Sequence, residues 1–380
     1  MEEHEVILHI GMPKTGTTSL QNFLRDNRDS LEHVGVYLPK SGTDSSGACW
    51  PLVYELNREL GGGFVLDNGD ALSNGHLDSV KNEIMSLDSA KRIVFSCEDL
   101  YYYSADYISN FLRRIFGYMP KVRVYFVIRD LVDYVDSSLN QVVKDYPGRW
   151  VDLKKSFNNV VNEKLDLTYH LSKFRAIKEV DSIFVGCYEV VCQEKHGVIA
   201  SFLDFIGVDI PINIKSSYNA NSRIKTYDAI LIKNFINMLP LSLGEIRKYK
   251  SLLIEWEKSH LNDRGEKLLD FMKLNEKFHH FALSVYDRLR DEKYIDKDTY
   301  TLYVDNLKSA TKKDDNDDKK RSLIPERFSD FLIFVESKEP RLYLLLLSSI
   351  SDSVSSHFYN SILPQVREEN MVGNQTYRPV

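Results

Sequence analysis

An excess of positive charge is the first thing this chain lacks. Lysine and arginine number 49 against 55 aspartates and glutamates, for a formal net charge of −6. A general nucleic-acid binder carries a basic excess that neutralises phosphates, so no nucleic-acid partner is expected. A local basic site for a small anion stays open. Cysteine is scarce too: Cys49, Cys97, Cys187 and Cys192 are the four in 380 residues, and they lack metal-ligand spacing. Cys187 and Cys192 lie close together with no histidine cluster nearby, so both are expected to be buried thiols. That usage suits a reducing compartment. Long apolar runs are missing as well. The longest towards the C-terminus, Leu342 to Ile350, is far shorter than the roughly 20 residues needed to span a bilayer, and it reads as a buried helix face. Met1 to Glu5 lead straight into an apolar run without a signal-peptide pattern. The expectation is a cytoplasmic protein without a transmembrane segment.

What is present suits a folded chain of two or three domains. Hydrophobic residues make up 43%, enough for a large core. Four short runs rich in β-branched and aromatic residues read as buried parallel strands: Val6–Ile10, Arg92–Phe95, Val122–Ile128 and Ser182–Gly186. Val34–Leu38 is a weaker fifth. Between them come helical patterns such as Leu20, Phe23, Leu24 and Leu31, then Ile108, Phe111, Leu112 and Ile115. Strands alternating with helices predict an α/β domain with a parallel sheet over residues 1–225. Beyond it a helical extension packing on that domain is expected over 226–311, with segments Tyr227–Leu239, Leu243–Lys258 and Glu266–Arg290. The polar run Lys312–Ser322 holds Asp314, Asp315, Asp317 and Asp318 and reads as a charged linker. Helical patterns resume in the last segment, 323–380, at Phe328–Val335 and Leu342–Leu363.

The densest local signal is the stretch from Glu5 to Gln21. A strand ends at Ile10, a turn holds Gly11, Pro13 and Gly16, and an amphipathic helix starts near Thr17. Unpaired N–H groups at such a helix start, together with the helix dipole, favour an anion. Gly16 allows close backbone approach, while Thr17 and Thr18 can cap the helix or donate hydroxyl hydrogen bonds. Nucleotide-triphosphatase loops place Gly-Lys-Ser/Thr at the end, with the hydroxyl on magnesium. Here Gly16 is followed by Thr17, and the lysine, Lys14, comes before the glycine. No strand ends in a convincing magnesium-binding aspartate.

Lys14-Thr-Gly-Thr-Thr-Ser-Leu-Gln21, preceded by His9-Ile-Gly-Met-Pro13, resembles the 5′-phosphosulfate loop of sulfotransferases that use 3′-phosphoadenosine 5′-phosphosulfate (PAPS). The likeness is closer to the bacterial and carbohydrate-acting branch. The fold this implies is an α/β, P-loop-type three-layer fold with a central parallel sheet, here with a largely helical C-terminal region. By resemblance, the amides and hydroxyls of Thr15, Gly16, Thr17 and Thr18 hold the 5′-phosphate, and Lys14 contacts the bridging oxygen as it leaves. PAPS is then the cofactor, PAP the product, and no metal is required. The family's 3′-phosphate motif is an arginine at a strand end and a serine farther along the next helix. Arg129 and Ser137 match that spacing. Two helical turns, roughly 10 Å, with side chains leaning towards the helix N-terminus, bring such a pair to one phosphate. Leu131 stands where many relatives carry proline. Tyr188-Glu189 follows the last strand as a Tyr-Glu pair does in relatives, so Tyr188 is assigned to the nucleotide. Asn219, Asn221, Ser222 and Arg223 occupy a polar turn of the kind that closes over the 3′-phosphate; helix capping by Asn221 or Ser222 is the alternative. His9 lies within a buried strand and is assigned to packing.

An acceptor hydroxyl needs a base to take its proton. Ser96-Cys-Glu98-Asp99 follows the second strong strand, where relatives carry Ser-x-Glu with the glutamate towards the acceptor, so Glu98 is the expected base and Asp99 its competitor. Other relatives use a histidine after the first helix. That stretch here reads Ser46-Gly-Ala-Cys49-Trp50-Pro51 and contains none, leaving His76 as the nearest alternative. Trp50, Tyr101, Tyr102, Tyr103, Tyr146 and Trp150 gather near the expected cleft, and a glycan or other small or polymeric metabolite is the expected acceptor. The rival readings are an ATP- and magnesium-dependent kinase and a PAPS-binding protein without catalysis.

Overall fold

The computed structural model describes residues 4–61, 75–87, 91–145, 151, 153–208, 227–260, 276–311 and 328–356. Five strands form one sheet: β1 (Glu5–His9), β2 (Val36–Tyr37), β3 (Arg92–Ser96), β4 (Lys121–Ile128) and β5 (Val180–Cys187). Their order is β2-β3-β1-β4-β5 and every pairing is parallel. The expected strands are all present, so the α/β reading with a parallel sheet holds. Val34–Leu38 contributes only two residues, between Gly35 in the left-handed region at φ 77° and Pro39, which cannot donate to a ladder. The inner strands read as unbroken apolar runs because both faces are covered. Val6, Ile7 and Leu8 are all 0% exposed.

The helices, in chain order, are α1 (Thr17–Asp26), α2 (Arg28–His33), α3 (Trp50–Glu59), α4 (His76–Met85), α5 (Ala105–Phe116), α6 (Leu131–Asp145), α7 (Leu153–Lys164), α8 (Leu167–Arg175), α9 (Tyr188–Val191) and α10 (Gly197–Phe205). They continue with α11 (Tyr227–Met238), α12 (Leu243–His260), α13 (Glu276–Asp291), α14 (Lys297–Thr311), α15 (Phe328–Lys338) and α16 (Pro340–Ser356). A 3₁₀ turn spans Glu98–Tyr102. On one face of the sheet Leu20, Phe23 and Leu24 of α1 and Ile199 and Phe202 of α10 cover Ile7, Val94, Tyr125 and Val127. On the other, Phe111 of α5 meets Phe95 edge-on at 5.5 Å, and Tyr101 stacks on Phe126 at 5.7 Å. Helix α5 has the stripe its sequence predicts, capped by the Ser104 hydroxyl on Tyr107 N at 3.2 Å and ended by Gly117 at φ 76°. Helices on both faces make three layers.

Backbone contacts divide the chain into two compact units. The first comprises 1–135, 160–221 and 274–312 and holds the sheet; the second comprises 136–159, 222–273 and 313–380. The stretch 226–311 thus contributes to both. Its segments Tyr227–Leu239 and Leu243–Lys258 are helical in the second unit, and α13 matches the described part of Glu266–Arg290 in the first. Helix α14 has no counterpart among the helical segments read from sequence. In the second unit Trp256 is 0% exposed and meets Phe331 edge-on at 5.7 Å, while Phe235 meets Phe328 at 5.1 Å. Asn234 on α11 both accepts from and donates to the Val151 backbone at 3.0 Å, satisfying a buried amide pair. The charged run 312–322 lies outside the described residues. Among the described residues, no helix is long and apolar enough to cross a membrane.

Candidate functional site

Strand β1 lies between β3 and β4; the chain leaves β1 towards β2 on one side and leaves β4 towards β5 on the other, which opens a crevice at the C-terminal ends of β1 and β4. The loop after β1 rises from that point. Its ascent is fixed by Ile10 N donating to Tyr125 O at 3.1 Å, Met12 N to Val127 O at 2.9 Å, and Cys97 N to His9 O at 2.9 Å. His9 itself is buried and bonds Ser96 Oγ through Nδ1 at 2.7 Å. Burial lowers its pKa to about 3, so it stays neutral.

Two loop residues have left-handed backbones, Lys14 at φ 70° and Gly16 at φ 81°. For a lysine that conformation costs about 1–2 kcal/mol, and it is held by neighbours. Thr15 Oγ1 donates to Met12 O at 2.5 Å, and Arg129 Nη1 donates to the Lys14 carbonyl at 2.9 Å. Gly16 could not be replaced freely: besides its φ, an added Cβ would stand 3.2 Å from Val198 Cγ2 and 3.6 Å from Tyr188 Cε2. Helix α1 then starts at Thr17 without a side-chain cap or an acidic residue in its first turn. Its leading amides therefore present partial positive charge to the crevice.

The turn after β3 brings Glu98 to this helix start, where Thr17 Oγ1 donates to Glu98 Oε2 at 2.9 Å. Asp99 follows in the same turn, but its side chain lies outside the described part. The turn is anchored at Tyr101, whose carbonyl accepts from Lys173 Nζ at 2.7 Å and from His170 Nδ1 at 2.8 Å. Because a carbonyl only accepts, the His170 proton sits on Nδ1. Burial, with Lys173 beside it, lowers His170 to about 4, and burial lowers Lys173 to about 8. Nothing in their local sequence marks these two as a clamp.

The expected aromatic cluster is divided by the structure. Tyr101 is fully buried, stacked on His170 at 3.7 Å, so its face is unavailable to an acceptor. Tyr103 is stacked on Tyr107 at 4.0 Å, and Tyr102 is exposed. Trp50 Nε1 donates to Asp44 Oδ2 at 2.8 Å, and Cys49 N donates to Ser96 O at 2.9 Å, which sets the start of α3 beside the end of β3. Tyr146 and Trp150 lie outside the described residues, as do Asn219, Asn221, Ser222 and Arg223. His76 opens α4. Cysteine exposure needs one correction: Cys187 is buried but Cys192 is exposed, because it ends the four-residue helix α9 where the chain turns over the surface.

On the other side of the loop, Arg129 ends β4. Its guanidinium lies 5.0 Å from the Tyr188 ring centroid and its Nε 3.7 Å from Glu189 Oε1. That Nε is buried and has no hydrogen-bond partner. The next residue, Asp130, caps α6 by accepting from Val132 N at 2.9 Å and Asp133 N at 3.1 Å. It also accepts from Tyr286 OH at 3.0 Å. Burial raises Asp130 to about 7 and raises Glu189 as well. Glu189 accepts from Tyr303 OH at 3.0 Å and from Asp130 N at 3.3 and 3.4 Å. Tyr286 and Tyr303 come from α13 and α14 and are two of 22 tyrosines, without a local signal to single them out. Ser137 lies on α6 and belongs to the second unit, Arg129 to the first.

The groups gathered in the first unit fit a phosphate chain: a glycine loop admitting close approach, a helix start without a side-chain cap, and an arginine with an unmatched donor. No family model and no curated protein matches the chain. Solved structures that overlap it include two sulfotransferases. A sulfotransferase from Alicyclobacillus acidocaldarius is 13% identical, over 65% of this chain and 99% of that one, at a TM-score of 0.35. The sulfotransferase domain from the curacin biosynthetic pathway is 12% identical, over 76% of this chain and 98% of that one, at a TM-score of 0.37. Such values say nothing of side chains, and function has to be read from this chain's own groups.

Proposed function

We propose that this chain is a PAPS-dependent sulfotransferase acting on a hydroxyl or amine of a glycan or other small or polymeric metabolite. The observation that carries the reading is the loop itself. Lys14 precedes Gly16 instead of following it, and its carbonyl is held by Arg129 at 2.9 Å. When bound, PAPS would supply a sulfuryl group on a phosphate leaving group. Thr15, Gly16, Thr17 and Thr18 hold the 5′-phosphate through backbone amides, with the Thr18 hydroxyl as a further donor, because the hydroxyl protons of Thr15 and Thr17 go to Met12 O and Glu98. Lys14 offsets the negative charge that develops there. Arg129 and Ser137 take the 3′-phosphate, Tyr188 lies along the nucleotide, and Asn221 closes over it. Glu98 removes the acceptor's proton, at the C-terminal edge of β3 next to the loop. The nucleotide domain proposed is 1–225. A cytoplasmic setting is part of the same proposal, supported by four cysteines of which none is in a disulfide.

One observation favours a second reading. A loop hydroxyl bonded to a strand-end carboxylate, as in Thr17 and Glu98 at 2.9 Å, is also how magnesium is held beside a nucleoside triphosphate. The absence of a lysine after Gly16 weighs against it. Calorimetry with PAP and ATP, each with magnesium and with excess chelator, separates the two. PAP binding that survives the chelator is expected; binding of ATP alone, strictly with magnesium, would overturn the sulfotransferase reading.

A further inference from the structure

Around the proposed anion site one group works against it. Glu189 is a carboxylate within 3.7 Å of the Arg129 guanidinium, and a close bidentate pair there would consume the donors an incoming phosphate needs. The two do not close. At 3.7 Å the contact is an ion pair without a hydrogen bond, and Arg129 Nε remains unmatched. The reason lies in what else Glu189 holds. Its Oε2 accepts from Tyr303 OH at 3.0 Å, and both oxygens face the Asp130 amide at 3.3 and 3.4 Å. Tyr303 is 0% exposed and packs on Tyr286 at 5.2 Å. Tyr286 OH is in turn fixed between Asp130 Oδ2 and Leu131 N. A rigid hydroxyl from α14 therefore takes up the carboxylate.

We propose that Tyr303 is a positioning residue for the anion site: by holding Glu189 back, it keeps the Arg129 donors available to a phosphate. Arg129 itself is oriented by the Tyr188 face at 5.0 Å and by its bond to the Lys14 carbonyl. This rests on the reading of Arg129 as a phosphate ligand, and it gives helix α14 a part in the site.

The test is a double-mutant cycle of Tyr303→Phe and Glu189→Gln, read as dissociation constants for PAP and, separately, for inorganic pyrophosphate. Tyr303→Phe frees Glu189 to close on Arg129, so PAP, whose 3′-phosphate Arg129 takes, should bind roughly three- to tenfold more weakly, while pyrophosphate, which the loop holds, should change little. Glu189→Gln cannot form that ion pair, so it should bind at least as tightly as wild type. The double variant should match Glu189→Gln, with the tyrosine effect gone. A merely structural tyrosine would weaken binding equally in both backgrounds, and that result overturns the proposal. So does an unchanged PAP affinity in Tyr303→Phe. If Tyr303→Phe fails to fold, Glu189→Gln still decides, because weaker PAP binding there contradicts the proposal. If wild type binds pyrophosphate but not PAP, the sulfotransferase reading falls, and the Tyr303 proposal that rests on it falls too. If it binds neither, both fall.

Discussion

Thr17 Oγ1 donates to Glu98 Oε2 at 2.9 Å, joining the phosphate loop to the proposed base across 81 residues of sequence. The bond sets the Glu98 carboxylate at the positive start of α1, beside the site where transfer would occur. Glu98→Gln keeps shape and removes the basic lone pair. Sulfuryl transfer should fall about 10²–10⁴-fold, with PAP affinity nearly unchanged by calorimetry. Asp99→Asn and His76→Gln should keep most activity. An active Glu98→Gln beside a dead Asp99→Asn would reassign the base.

Arg129 should discriminate nucleotides by their 3′-phosphate. A charge-assisted hydrogen bond is worth about 1.5–3 kcal/mol, so Arg129→Ala should weaken PAP binding roughly tenfold or more. Adenosine 5′-phosphosulfate, which lacks that phosphate, should lose little. Equal losses for the two ligands would instead point to the Lys14 carbonyl contact as the arginine's main role.

Asp130 should make stability fall with rising pH. Burial lifts its carboxyl from 3.8 to about 7, so the folded state keeps this proton where the unfolded chain has lost it. The contribution is full below 3.8 and is lost as pH rises through about 7. Asp130→Asn should flatten the fall in melting temperature between about pH 4 and 7, and an unchanged slope would refute the assignment. His9, held neutral by burial down to about 3, affects both proteins alike and only on the acid side of 6.5.

The second unit should depend on its C-terminal helices. Phe331 packs on the fully buried Trp256 at 5.7 Å, and Tyr249 OH donates to Leu342 O at 2.6 Å. Phe331→Ala should cost about 3–5 kcal/mol in denaturant titration, with Trp256 emission moving to the red. Truncation after Thr311 removes both contacts and should abolish cooperative unfolding of that unit. An unaltered transition in the truncated chain would show that α15 and α16 add nothing.

The strand–turn–helix from Glu5 to Asp26 was legible because its causes are local: an apolar run, two glycines and helical spacing lie within 22 residues. The same holds for the placement of Glu98 and Arg129, two residues and one residue beyond the ends of recognisable strands. Tyr101 was legible as an aromatic near the cleft but not as a buried one. Its burial depends on His170 and Lys173, 69 and 72 residues away.

By itself the sequence determined the strands, their parallel arrangement and the loop with Lys14 ahead of Gly16, since periodicity and glycine placement are properties of neighbours in the chain. Only the tertiary structure decided what surrounds Arg129. Tyr303 reaches Glu189 across 114 residues and Tyr286 reaches Asp130 across 156, and no spacing rule links positions so far apart. Two buried hydroxyls meet the buried Asp130 and the half-buried Glu189 there because each polar group removed from water needs a partner, and packing alone selects which one.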